Sequence, residues 1–425
     1  MRIAVIGSGI SGMTAAYRLC RHHEVSVFEA ADYVGGHTHT VDVEHAGRHY
    51  AIDTGFIVYN DWTYPQFIAL LEELGVAWQP SNMSFSVRCE SSGLEYNGTS
   101  VNALFAQRRN LLRPRFLRMV RDILRFNREA PRLLLVPPAG MTLGDYLRRQ
   151  GYSRYFVDHY IIPMGAAIWS SRPLDMLHFP VRYFVEFFSN HGFLSVEDRP
   201  VWRVIRGGSR EYMRRLAAPL AGAIRLNTPV ASIHREAHQV SVRTRAGELA
   251  HFDEVFIACH SDQALRLLSD PSAAETEILG AIAYQPNEVL LHTDERMMPR
   301  RRLARAAWNY HLPVGAHERV TVTYNMNILQ SLQAPLQFMV SLNRGADVDP
   351  AKVLRSFVYH HPVYTADAVA AQRRHAEISA VRRTHYCGAY WGYGFHEDGV
   401  RSAYAALQLF DRRQAHAQPN LQRTG

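Results

Sequence analysis

Three glycines and one carboxylate, by their spacing, carry the first chemistry in this 425-residue chain. Gly7, Gly9 and Gly12 form a G-x-G-x-x-G turn. The turn follows the apolar residues Ile3, Ala4, Val5 and Ile6 and leads through Ile10 and Ser11 into a helical pattern of Met13, Ala16, Tyr17 and Cys20. A second apolar run, from Val25 to Phe28, ends in Glu29. Strand, glycine turn, helix, strand and acid in this order suit a dinucleotide. Gly7 allows the tight turn, Gly9 lets the backbone approach a diphosphate, and Gly12 lets helix and strand pack closely. Free N–H groups at the helix start attract phosphate, and Glu29 stands where a ribose hydroxyl is held. The motif alone fits FAD and NAD equally.

The elements that must position these residues fall into separated pieces. Val34-Gly35-Gly36-His37 follows the acid, and a strand at 48–52 runs into Asp53-Thr54-Gly55-Phe56. Residues 64–75 predict an amphipathic helix on Phe67, Leu70, Leu71 and Leu74; Met83, Phe85, Val87 and Cys89 alternate as in a half-buried strand, with a hairpin turn at 93–98. Residues 105–200 become largely helical and rich in arginine and aromatics. A strand at 201–205, a Gly207-Gly208 turn, a helix at 212–220, short strands at 224–226, 230–234 and 240–244, and the apolar run 255–258 follow. A second excursion over 275–375 holds strands at 287–292, 320–325 and 338–342 and a helix-like surface segment at 350–359. The last segment, 384–410, is a glycine-studded loop feeding a helix. The expected fold class is α/β with an α+β substrate part. A Rossmann-like nucleotide domain comes from 1–80, 201–272 and 376–425, and a discontinuous substrate domain of mixed sheet and helices from 81–200 and 273–375.

These segments together resemble the FAD-dependent amine-oxidase superfamily, which also holds protoporphyrinogen oxidases and phytoene-type desaturases. Gly35-Gly36-His37 stands where that family has Gly-Gly-Arg against the FAD phosphates, with His37 replacing the cation. Asp53-Thr54-Gly55-Phe56 resembles the D-x-G segment beside the flavin, and Pro229-Val230 the strand that clamps adenine. Val204-Ile205-Arg206-Gly207-Gly208 resembles V-x-G-G-M, and residues 255–260 the V-I-x-A-T-P strand. Cys387-Gly388 through Glu397-Asp398-Gly399-Val400 occupies the place of the C-terminal flavin loop, with Ala389 where most relatives have an acid that bonds the ribityl chain. The string at 392–402, G-Y-G-F-H-E-D-G-V-R-S, occurs with Trp308-Asn309-Tyr310, Tyr324-Asn325-Met326-Asn327 and Tyr359-His360-His361-Pro362. This set resembles one bacterial subgroup, often encoded beside cyclopropane-fatty-acid-synthase-like methyltransferases. The resemblance implies FAD as cofactor, an oxidoreductase and a lipid-linked substrate. The family's lysine, which holds a water near flavin N5, has no counterpart here, since Lys352 is the only lysine. That disfavours a small amine as substrate; a redox-neutral or non-catalytic FAD protein is the other alternative.

His396 and Glu397 are the candidate acid–base or substrate-polarising groups, or else they bond the ribityl chain or the loop backbone. A helix starting near Asp398 turns its N–H groups toward the loop, either to stabilise a reduced flavin or as a plain cap made by Asp398. His37-Thr38-His39 lacks the further ligands that a metal needs, so no metal is expected. His360-His361-Pro362 reads as a structural turn. Phe179, Tyr183, Phe184, Phe187 and Phe188 follow helical spacing, as core or as the wall of an apolar channel.

The net charge is +8, and 46 of the 47 basic residues are arginine. Pro114–Glu129 reads as a basic amphipathic helix: Phe116, Val120, Ile123 and Leu124 on one face, Arg118, Arg121, Arg125 and Arg128 beside it. Such a helix lies on an anionic membrane surface or is a domain helix with a solvated face. Nucleic acid is not an expected partner, because no recognition module accompanies the charge. No apolar run approaches the roughly 18–20 residues of a membrane span, and the first apolar run stops at the glycine turn, too short for a secretory signal. Cys20, Cys89, Cys259 and Cys387 are scattered without a C-x-x-C pair, which fits a reducing cytoplasm, with the inner face of the membrane as a peripheral location.

Overall fold

The computed structural model describes residues 1–135, 140–195, 197–315 and 318–417. Its first sheet is parallel and five-stranded, in the order Ile224–Arg225, Glu24–Phe28, Arg2–Ile6, Glu254–Ile257, Thr384–Tyr386. Parallel neighbours require crossovers, and the helix Ile10–Leu19 supplies the first. Arg2–Ile6 is buried on both faces beyond its first residue, as a central parallel strand must be, which explains its continuous apolar run. The carboxyl ends of Arg2–Ile6 and Glu254–Ile257 lie side by side, with Ala258 N donating to Ile6 O at 2.8 Å. Open α/β sheets place their ligands in that kind of crevice.

A second sheet has seven strands in the order Val353–Pro362, Tyr284–His292, Met339–Leu342, Val322–Asn325, Trp308–Leu312, Phe85–Cys89, Leu94–Asn97. All neighbours are antiparallel except Trp308–Leu312 with Phe85–Cys89, which run parallel. Helices Pro114–Glu129, Leu143–Arg149, Ile162–Trp169 and Val181–Asn190 share one apolar core with it: Phe116, Phe126, Phe156 and Phe184 are fully buried with Val87, Val289 and Val322. A three-stranded antiparallel meander, Val230–Arg235, Val240–Thr244 and Leu249–Phe252, packs on the first sheet.

Several elements differ from the sequence reading. Residues 350–359 are not helical: one turn at Pro350–Lys352 opens the ten-residue strand Val353–Pro362, stabilised by pairing with Tyr284–His292. His360 and His361 therefore belong to a strand and not to a turn. Residues 94–97 are a strand, so the hairpin turn covers 90–93. Thr40–His45 pairs with Arg48–Asp53 as a hairpin, of which only the second strand was expected. Phe179 precedes the helix Val181–Asn190, although it is buried with Tyr183, Phe184, Phe187 and Phe188. On Pro114–Glu129 the buried residues are Phe116, Met119, Asp122 and Phe126, while Leu124 is 56% exposed. Arg125 is not part of a free stripe, since it pairs with Glu129 at 2.9 Å and lies over the Tyr152 ring.

Candidate cofactor and active site

The glycine turn divides its tasks. Gly7 has φ +101°, and a Cβ on Gly12 would sit 2.0 Å from Gly7 O, so neither position admits a side chain. A Cβ on Gly9 would meet nothing within 4 Å. Open space thus lies above the middle glycine, at the start of Ile10–Leu19, where no side chain caps the helix and the first turn holds no acid. Its first N–H groups remain available to an anion.

Glu29 borders this opening. Its carboxylate accepts from Ser8 N at 2.8 Å, Ser8 Oγ at 2.6 Å and Ala31 N at 2.8 Å, which fixes its direction. Thr228 N donates to Glu29 O at 2.8 Å, bringing Pro229 and the buried Val230 alongside. From the other side comes the loop of Gly35 and Gly36, with φ +139° and +59°; a Cβ on Gly36 would stand 3.3 Å from Gly9 Cα. Gly55 packs on the His37 carbonyl, which accepts from Phe56 N at 2.7 Å.

His37 Nε2 is buried and has no hydrogen-bond partner. Burial, with His360 nearby, holds the ring down to about 4, so it stands neutral at pH 7. It presents a neutral ring nitrogen where the resembling family has a cation. The structure also gathers around it histidines that are far apart in sequence: ring centroids lie 5.5 Å away for His361 and 6.1 Å for His260, and Tyr359 is at 5.1 Å. Among the described residues no cluster of His, Cys, Asp or Glu is arranged to hold a metal.

The C-terminal loop closes the opening. A Cβ on Gly399 would lie 2.6 Å from Ile10 Cγ2, so the helix His396–Ala417 begins against the start of Ile10–Leu19. Gly388 N and Gly399 O are joined through Ser402 Oγ at 2.9 and 2.8 Å, and Val400 is fully buried. The helix starts at His396 rather than at Asp398.

The three polar residues of this loop all have structural partners. His396 Nε2 lies 2.8 Å from Tyr212 Oη and 3.0 Å from Thr38 Oγ1, and its ring stacks on Phe56. Burial pushes His396 well below the ordinary histidine range. Glu397 accepts from Phe67 N and Gln66 N, and burial raises its pKa. Asp398 accepts from Tyr393 N, Phe395 N and Arg401; burial lifts it to about 6, against the pull of Arg401. Asp53 is similarly committed, bonding Thr40 and Ser209, with Gln330 reaching it from the second sheet's domain.

These features fit a dinucleotide: an uncapped helix start, a fixed carboxylate, open space above Gly9 and an orphaned buried ring nitrogen on His37. A family model described as flavin containing amine oxidoreductase matches residues 10–326. The chain belongs to that family. FAD is its cofactor, and the remaining likenesses concern the fold around it. An 83-residue stretch, 19% of the chain, is 40% identical to flavin-containing amine oxidase A of Canis lupus familiaris and spans 15% of that enzyme's length. Cyclohexylamine oxidase from Brevibacterium oxydans IH-35A is similar in structure, with a TM-score of 0.68 over 97% of this chain and 99% of that one, at 16% identity. A CLA-producing fatty acid isomerase from P. acnes gives 0.68 over 96% and 98%, also at 16% identity.

Within this flavoprotein, the sequence reading missed Ser8, Thr38, Tyr212 and Ser402. Ser8 lies inside the glycine motif and its spacing to Glu29 gives a local signal. Ser402 acts within the C-terminal segment, on Gly388 and Gly399. Thr38 acts across 174 residues to Tyr212 and 358 to His396, and no local pattern marks that pair.

Proposed function

We propose that this flavoprotein removes a hydride equivalent from an apolar substrate, a fatty-acyl chain or another lipid. The observation that carries the reading is the lining beside the C-terminal loop. Tyr183 meets Tyr364 and Tyr393 at 5.5 and 4.5 Å between ring centroids, and Phe187 meets Phe395 and Tyr393 at 5.3 and 5.4 Å. Phe395 and Tyr393 are half-buried, so this wall keeps accessible apolar surface immediately before His396. An apolar site with few polar groups orients a substrate by shape.

FAD, when bound, supplies the hydride-accepting chemistry. The chain's own part is placement. Glu29 and the helix start at Ile10 would hold the nucleotide end, while His396 and Tyr212, joined through Thr38, brace Phe56. Glu397 and Asp398 hold backbone N–H groups, which gives both an anchoring task. Lys352 is exposed and 3.6 Å from Asp294, just before the strand Val353–Pro362, whose opposite end carries His361 beside His37. The fatty acid isomerase shares this fold and by its name acts on a fatty acid, which supports a lipid. The amine reading has the family's name and the cyclohexylamine oxidase fold in its favour.

Free Cys20, Cys89, Cys259 and Cys387 support a reducing, cytoplasmic setting. Among the described residues no helix is long and apolar enough to cross a membrane. The test is anaerobic addition of unsaturated phospholipids, free fatty acids or primary amines to holoprotein, followed at the flavin absorbance. Bleaching by a lipid supports the proposal. Bleaching by an amine alone overturns it, and a lipid isomerised without bleaching assigns a redox-neutral reaction.

A further inference from the structure

The outer face of Pro114–Glu129 and the turn before it combine two properties that a solvated surface rarely joins. Leu111, Leu112, Leu117 and Leu124 are exposed by 50, 88, 43 and 56%. Residues 108–128 hold eight arginines and one acid, Asp122, which is buried and accepts from Ser153 N. Arg118 and Arg121 are exposed and make no ion pair or hydrogen bond among the described residues; Arg128 is 74% exposed with Glu129 at 3.5 Å. Leu117, Arg121, Leu124 and Arg128 are spaced 4, 3 and 4, so leucine and arginine alternate along one outward stripe.

The opposite face of the same helix is already satisfied. Phe116, Met119 and Phe126 are fully buried, and Phe116 meets Tyr96 and Phe105 at 5.9 and 5.6 Å. The exposed leucines are therefore surplus to the fold. A groove of about 620 Å³ borders Leu117, lined also by Arg118, Arg121 and Arg125.

From this surface we infer that the protein docks on an anionic lipid bilayer, with the leucines entering the headgroup boundary and Arg118, Arg121 and Arg128 meeting lipid phosphates. Bilayers reward both components together: apolar side chains insert, and long arginines reach back to the charged plane. A nucleic acid would use the arginines but not the leucines, and no exposed aromatic in this stretch offers a base a stacking surface. The inference concerns docking alone and stands whichever substrate the flavin site takes.

The experiment is co-sedimentation of the full-length holoprotein with phosphatidylcholine vesicles and with vesicles enriched in phosphatidylglycerol. Two variants accompany it, Arg118→Gln/Arg121→Gln/Arg128→Gln and Leu112→Ser/Leu117→Ser/Leu124→Ser. All six side chains are exposed and none belongs to the glycine turn or the C-terminal loop, so unchanged flavin content and melting temperature certify the fold. Wild type should bind the anionic vesicles, less so as salt rises. The arginine variant should bind about 10²-fold more weakly, and the leucine variant should lose the binding that survives high salt. Equal binding to both vesicle types, no sedimentation of wild type, or wild-type binding by either variant overturns the inference. So does arginine-dependent capture of duplex DNA that the leucine variant retains in full while its vesicle binding is unaltered.

Discussion

The carboxylate of Glu397 closes the N-terminus of the helix Pro65–Glu73, accepting from Phe67 N at 2.9 Å and Gln66 N at 3.2 Å. The residue before that helix, Tyr64, offers no side-chain cap, so an acid 330 residues away in sequence from Phe67 serves in its place. Glu397 thereby ties the C-terminal helix to the start of Pro65–Glu73.

Glu397→Ala should consequently lower stability by about 1 kcal/mol, the usual cost of a lost cap. Glu397→Gln keeps an acceptor oxygen and should recover most of it. Denaturant unfolding of the holoprotein measures both. An alanine variant that unfolds like wild type yet no longer reduces its flavin would return Glu397 to a catalytic role.

Gly9 and Gly12 should separate binding from folding. Gly9→Val fills space that the protein itself leaves open, so the chain should stay folded and soluble while losing FAD. Gly12→Val drives a side chain into Gly7 O and should destabilise the apoprotein too. Bound-flavin absorbance and apoprotein melting distinguish them. FAD retained at wild-type affinity by Gly9→Val would remove the diphosphate from this turn.

FAD should leave intact on acid or heat denaturation. Cys387 and Cys259 are the cysteines nearest the loop, and burial raises both thiols, Cys259 to about 12. Neither is a ready thiolate nucleophile at neutral pH. The precipitated chain should be colourless, with the flavin in the supernatant; a yellow pellet would establish a covalent bond.

Stability should fall as pH drops from 6.5 toward 4. Burial holds His37, His191, His292 and His311 down to about 4, and His260 and His361 to about 3. Below pH 6.5 the unfolded chain takes up protons that the folded one refuses, so each such histidine contributes a loss of up to about 1.4 kcal/mol per pH unit. Asp53 and Asp398, lifted to about 6 by burial, act the other way between pH 6 and their unfolded value of 3.8. Glu397, also raised by burial, joins them, and six histidines outweigh three acids. Thermal melts of the apoprotein at successive pH values check the sign, and a melting temperature that rises toward pH 4 would contradict it.

What was legible in the sequence follows the range of the interactions. The turn of Gly7, Gly9 and Gly12 and its partner Glu29 are set within one βαβ unit, where spacing alone determines geometry. The alternation of Phe85, Val87 and Cys89 is likewise a local property. His360 and His361 were misplaced because their strand is held by Tyr284–His292, more than 60 residues away, and an edge strand with a half-exposed pattern carries little periodicity of its own. His396 and Glu397 were read by chemical type. Their roles depend on Tyr212, Thr38 and Phe67, which tertiary packing alone brings near. The aromatic run 179–188 was ambiguous between core and channel for the same reason.

The meeting of Gly399 with Ile10 and Ser11 has a consequence for biosynthesis. One half of the nucleotide cradle exists once the first βαβ unit has left the ribosome, but its other half arrives only with Gly399. Chains generally fold domain by domain from the N-terminus as they are made, yet here the helix start at Ile10 and a glycine far downstream, Gly399, meet around one cradle. Flavin loading is thus a check on completeness: ribosome-stalled chains ending before His396 should carry no FAD, and a truncated product would be marked by its lack of colour.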